Sequence, residues 1–248
     1  MRNALTIGRY ELKMQMKNIS LWLIVLVTSA LSIFEQFPTK NNLQRITGLS
    51  NHSYIASRSM TLTGIIIMFG CAFILGNRVR MDIKNGTSEV LFSAPISKTA
   101  YIGGKFLGNY MAALVMCGVF IFLNAIVQAF FNPSPFDPLP YLSSFVFIAV
   151  PSMLFVVGLS IGLPVLIGTK LFYTAFSAYM MYCIIIIPET YEIPFYWIIG
   201  DIRKLVFRNS THPFPYQSIV LNVTFLVGIG LASLLLLGVN SKRFWRES

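Results

Sequence analysis

Charge is what this sequence has least of. Only 11 % of its 248 residues are Asp, Glu, Lys or Arg, against roughly 25 % in an ordinary soluble domain. The deficit is concentrated in six stretches. With two histidines set aside, residues 18–34, 59–77, 106–136, 138–169, 171–188 and 209–241 carry no charged side chain. A hydrocarbon layer about 30 Å thick is crossed by about 20 helical residues, and an unpaired backbone cannot be left in it. Trimmed to their apolar parts, the runs predict spans near 20–34, 60–76, 106–129, 143–167, 171–188 and 218–239. The expected fold is all-α: a polytopic membrane protein with six transmembrane helices, forming a single transmembrane domain over residues 1–248.

Other absences exclude whole classes of function. The three cysteines, Cys71, Cys117 and Cys183, all fall inside the spans and make neither a disulfide framework nor a zinc spacing. No HExxH or GxSxG occurs, and His52 and His212 both fall in loops, so nothing points to an intramembrane hydrolase. "GLPVLIGTK", Gly162 to Lys170, has five residues between its glycines where a phosphate-binding loop needs four, and its Thr and Lys are reversed. "GIGLAS", from Gly228, shares only two glycines with a dinucleotide fingerprint. Helix packing explains it better, as it does the pairs Gly104/Gly108 and Gly158/Gly162. No Asp, Glu, Lys, Arg or His lies in the core of any predicted span. Ion-coupled pumps carry such groups at mid-membrane depth, so uphill work by this chain needs energy from another protein.

What the sequence does have is a net charge of +10, placed in the flanks. With the N-terminus inside, thirteen Lys and Arg fall in inner segments and six in outer ones. That asymmetry predicts a multi-pass plasma-membrane protein with both termini cytoplasmic. The basic residues are scattered, with no basic domain, so nucleic acid is not an expected partner; membrane lipid is. Residues 1–19 read as an interfacial helix, with Leu5, Leu12, Met16 and Ile19 on one side and Arg2, Arg9, Lys13 and Lys17 beside them. Residues 35–58 read as an outer loop, and "FNPSPFDPLP", 131–140, as an outer turn with four prolines. Gly168, Thr169 and Lys170 close a tight inner hairpin. Residues 189–217 read as an outer helical loop, amphipathic or re-entrant, because Ile198, Ile199, Ile202, Leu205 and Val206 recur at helical spacing behind Phe195, Tyr196 and Trp197.

The polar groups within the spans are mild. Asn124 and Gln128 share one helical face, Asn222 lies in the last span, and the fifth carries Tyr173, Tyr179 and Tyr182. They read either as interhelical packing or as a candidate translocation surface for an amphipathic substrate.

The remaining stretch is "NGTSEVLFSAPISKTAYIGGK", Asn85 to Lys105. Glu89 follows Gly86 by three and suits a helix N-terminus. Val90, Leu91 and Ala94 form one short apolar stripe, and Pro95 ends it. Ser97 then offers a fresh cap. A short amphipathic helix over 85–95, held between two spans, is expected.

Asp82 to Gly108 resembles the segment between spans two and three of type-2 ABC exporter permeases. That family shows an acidic residue and a Gly, then "t-x-e-x-L-x-s-x-P-[IV]-s-[RK]" leading to "Y-x-x-G-K". Gly86, Thr87, Glu89, Leu91, Pro95, Ile96, Ser97, Lys98, Tyr101, Gly104 and Lys105 match in place. The resemblance implies a permease half that dimerises with a second copy or a paralogue and recruits cytoplasmic ATPase subunits. It makes 85–95 a coupling helix, with Gly86, Thr87, Glu89, Val90, Leu91, Ala94, Pro95 and Lys98 as the docking residues. ATP and Mg would sit on the partner, with no cofactor, metal or catalytic residue in this chain. The small outer loops are similar to those of peptide or toxin exporters and lantibiotic immunity permeases. An amphipathic peptide is therefore the expected substrate and a small hydrophobic drug the alternative; a non-transporting scaffold for an ATPase is the reading from another class. The short loops and the Ile-, Asn- and Lys-rich usage fit a bacterial membrane.

Overall fold

The structure is a computed structural model, describing residues 2–36, 52–76, 78–85, 96–131, 135–185 and 216–244. Its elements are α1 (Arg2–Met16), α2 (Ile19–Gln36), α3 (His52–Leu75), α4 (Arg78–Lys84), α5 (Lys98–Phe131), α6 (Leu139–Ser144), a π-helical turn (Phe145–Ala149), α7 (Val150–Ile167), α8 (Thr169–Ile185) and α9 (Tyr216–Phe244). Among the described residues there is no strand. Of the expected coupling helix, Asn85 closes the turn after α4 and 86–95 lie outside the described residues. The outer helical loop does too, except for Tyr216 and Gln217, which open α9.

Where they are described, the six apolar runs are helical. Among the described residues, three stretches are long and apolar enough to cross a bilayer: Gly64–Asp82, Lys98–Phe131 and Leu139–Ile167. A fourth is reached if Asn3–Met16 and Ile19–Phe34, bent by 60° against each other, act as one span. Two boundaries differ from expectation. Residues 52–58, expected in a loop, belong to α3, because Ala56, Ser59 and Met60 are buried at helical spacing and extend its packed face. The proline-rich turn ends at Pro138, where Asp137 Oδ1 accepts a hydrogen bond from the Leu139 N–H at 3.0 Å and opens α6.

The corner between α1 and α2 is built locally. Asn18 Oδ1 accepts from the Ser20 N–H at 3.1 Å, capping α2. The Trp22 indole N–H reaches back to the Met16 carbonyl at 2.8 Å and holds the bend. The π-helical turn precedes Pro151, whose ring cannot sit against the carbonyl four residues earlier in a regular α-helix. The Val150 N–H bonds Phe145 O instead, which takes up the extra residue.

α5 is the spine. Tyr101, Met116, Cys117 and Phe120 on it are fully enclosed, as are Ile148 and Met153 beside it. Two close backbone crossings set the packing. A Cβ on Gly108 would stand 2.5 Å from Gly8 O, and one on Gly104 would stand 2.8 Å from Ala4 O, so α1 lies directly on α5. A Cβ on Gly158 would stand 2.5 Å from Gly230 O, and Ser233 Oγ donates to Gly158 O at 2.7 Å, so α9 lies directly on α7. Both glycine pairs read from the sequence as packing motifs are at these crossings. The "GLPVLIGTK" stretch is the end of α7, closed by Gly168 at φ +90° before α8 begins.

The side of α1 that packs on the bundle is not its leucine-bearing one. Gly8, Glu11 and Gln15 face the bundle, whereas Leu5 and Ile19 are exposed. A membrane protein buries the face that packs closely, and here that is the small and polar one, while lipid can receive the leucine.

Candidate functional site

Residues 86–95 are bounded by two described elements, α4 before them and α5 after. Ser97 caps α5, its Oγ accepting from the Ala100 N–H at 3.2 Å. From that cap the helix register places Tyr101 and Lys105 one turn apart on the face toward α1 and α4.

Five side chains converge there. Lys105 Nζ lies 2.6 Å from Glu11 Oε2 on α1 and 2.8 Å from Asp82 Oδ2 on α4. The Tyr101 hydroxyl donates to the same Asp82 oxygen at 2.6 Å. Gln15 Nε2 donates to Glu11 Oε1 at 3.0 Å, one turn along α1. The Lys105 ammonium also stands 5.9 Å from the centre of the Tyr101 ring. Glu11 is 4 % exposed, Lys105 8 % and Tyr101 and Gln15 not at all. Each carboxylate therefore has a charged partner and a neutral donor. That is what makes burying two acids and one base tolerable, since a lone charge there would be strongly unfavourable.

α4 makes a second tie. Arg80 Nη1 donates to Thr169 Oγ1 at 2.9 Å, at the one-residue link between α7 and α8. This seven-residue helix is thus fastened to α1 and α5 through Asp82 and to α8 through Arg80. No bond-making chemistry is evident in such a set. What it does is mechanical: α4 is tied to α1 and α5 through the Asp82–Lys105–Glu11 contacts and to α8 through Arg80.

Of the docking residues named from the sequence, Lys98 is half-buried in the first turn of α5. Gly86, Thr87, Glu89, Val90, Leu91, Ala94 and Pro95 lie outside the described residues. The candidate translocation residues fall in two environments. Asn124 is 1 % exposed; its Oδ1 accepts from Ser32 Oγ at 2.7 Å and its Nδ2 donates to Phe120 O. Gln128 is buried on the same side of α5. Tyr173 donates to Phe73 O at 3.1 Å and stacks on the Phe73 ring at 4.7 Å, and Tyr179 packs on Phe155 and Phe176. Tyr182 is on α8 and Asn222 on α9, with side chains outside the described set.

Sequence reasoning missed Glu11 and Gln15. The signal was present: one acid among the three basic residues of α1, three positions after a glycine and four before an amide. Tyr101, Gly104, Lys105 and Asp82 had been noted only as matches to a pattern. The structure brings all four together with α1.

Comparison with protein-family models matches residues 5–188 to the ABC-2 family transporter protein. No curated protein matches the chain.

Proposed function

This chain belongs to the ABC-2 transporter family, a membrane transport component that is not itself catalytic, and we propose that it is the transmembrane half of an ATP-driven exporter. In this reading the chain crosses the membrane six times with both termini in the cytosol. It pairs with a second copy or a paralogue, and each half receives an ATPase subunit on the 85–95 helix. Binding and hydrolysis of ATP with Mg on that partner move α4 and α5. The Glu11–Lys105–Asp82–Tyr101 cluster passes the movement to the rest of the bundle.

The observation that supports it most is the cluster's location. The two elements flanking 86–95 are clamped to each other and to α1 by a buried ion pair of 2.6 Å and a partly buried one of 2.8 Å. A passive connector has no need of buried charges at its ends. The uncharged spans add to this, because they leave the chain without an ion-binding site of its own. An amphipathic peptide is the substrate favoured by the small outer loops and the amide- and tyrosine-bearing spans, with export as the direction.

The test is co-purification with the cognate soluble ATPase, followed by ATP-dependent efflux from reconstituted vesicles. Glu89→Lys or Leu91→Arg should release the ATPase. Accumulation driven by a sodium or proton gradient alone, with no ATPase present, would overturn the reading.

A further inference from the structure

The face of α1 opposite its packed side is basic and unclaimed. Gly8, Glu11 and Gln15 are spent on α5. Turned away from them, Arg9, Lys13 and Lys17 follow one another at i, i+4 and i+8, all exposed. Among the described residues none of the three has an ion pair or hydrogen-bonded partner through its side chain. Large apolar side chains flank the row: Leu5 is 60 % exposed on one edge, and Tyr10 and Met14 are 73 % and 42 % exposed on the other. Past the 60° corner, Ile19, Leu23 and Leu26 of α2 are also exposed, by 79 %, 58 % and 63 %.

We propose that Arg9, Lys13 and Lys17 form a binding surface for acidic phospholipid headgroups, and that leaflet charge thereby sets the seating of α1 on the bundle. Three features favour a membrane over an acidic protein face. The cations sit between apolar edges, as a helix at the boundary of headgroup and acyl chain requires. Their aliphatic stems can lie along those edges with the charged ends at the phosphates. Exposed apolar side chains also follow directly on α2, and an aqueous partner would not cover them. Because Glu11 on the reverse of the same helix holds Lys105, lipid bound on one side bears on the cluster on the other. Assignment to the inner leaflet rests on the orientation proposed above; the lipid preference itself does not.

The test uses the purified full chain in neutral detergent, with no ATPase, so it stands or falls separately from the transporter reading. Thermal unfolding is followed while phosphatidylglycerol or phosphatidylcholine is titrated in. Phosphatidylglycerol should raise Tm at a concentration roughly tenfold or more below that at which phosphatidylcholine acts. The triple variant R9Q/K13Q/K17Q should lose that difference, while K84Q, an exposed cation outside α1, should keep it. Equal responses to the two lipids in the unmodified chain would overturn the proposal. So would a triple variant that keeps the full response to phosphatidylglycerol, which would assign the lipid effect to residues other than this row.

Discussion

Lys105 and Glu11 meet with Nζ 2.6 Å from Oε2, although one stands near the start of α5 and the other well along α1. Asp82 completes the arrangement from the opposite side at 2.8 Å. One cation therefore bridges two acids, Glu11 buried and Asp82 partly buried, that would otherwise repel each other. Removing it should do more damage than removing either acid. Lys105→Met is expected to cost about 3–5 kcal/mol, the usual result of leaving a buried charge without its partner. The double variant Glu11→Gln/Lys105→Met should recover part of that loss. Denaturant or thermal unfolding in detergent, run as a double-mutant cycle, measures the coupling.

Tyr101→Phe removes only the hydroxyl that donates to Asp82. A hydrogen bond to a charged group contributes about 1.5–3 kcal/mol, and Lys105 still holds the carboxylate, so the protein should fold. The expected functional result is uncoupling, with ATPase activity retained in the assembled complex and transport reduced. Paired hydrolysis and efflux assays on one preparation would show it.

Two nearby glycines should respond in opposite directions. Gly108→Ala places a Cβ 2.5 Å from Gly8 O and must lift α1 off α5, at a cost of about 1–3 kcal/mol. Gly103→Ala meets nothing within 4 Å and should gain about 0.5–1 kcal/mol from helix propensity. Melting temperatures of the two variants, taken side by side, check the assignment of the crossing point.

At the α7–α9 crossing, Ser233→Ala deletes the hydrogen bond to Gly158 O but leaves the fit intact. An interhelical bond of this kind contributes about 0.6 kcal/mol, so a small shift is expected. Gly158→Leu, which would drive a side chain into the Gly230 backbone, should abolish folded protein. Size-exclusion profiles of the two variants separate these outcomes.

The sequence carried the parts of this molecule that depend on local rules. Missing charge located the helices, Gly104/Gly108 and Gly158/Gly162 located the close crossings, and Ser97 located the start of α5. It could not say what each glycine pair would face, since Gly8 and Gly230 become partners only once the chain is folded. Nor could it say which side of α1 packs on the bundle, since Leu5, Leu12, Met16 and Ile19 mark only its apolar side. In a bilayer lipid accepts Leu5 and Ile19, and the bundle selects Gly8 for closeness and Glu11 for its bond to Lys105. The cluster was hidden for the same reason. Asp82, Tyr101 and Lys105 lie within a single stretch of sequence, but Glu11 comes from a helix whose crossing no periodicity reveals.

The seat of α1 also has a chronology. Glu11 leaves the ribosome well before Lys105 has been made, and until α5 arrives its carboxylate has no cation to settle against. The N-terminal helix can therefore close onto the bundle only after the third apolar stretch has been delivered to the membrane. A chain that stops short of that point leaves Glu11 without its cation, held only by Gln15 of the same helix.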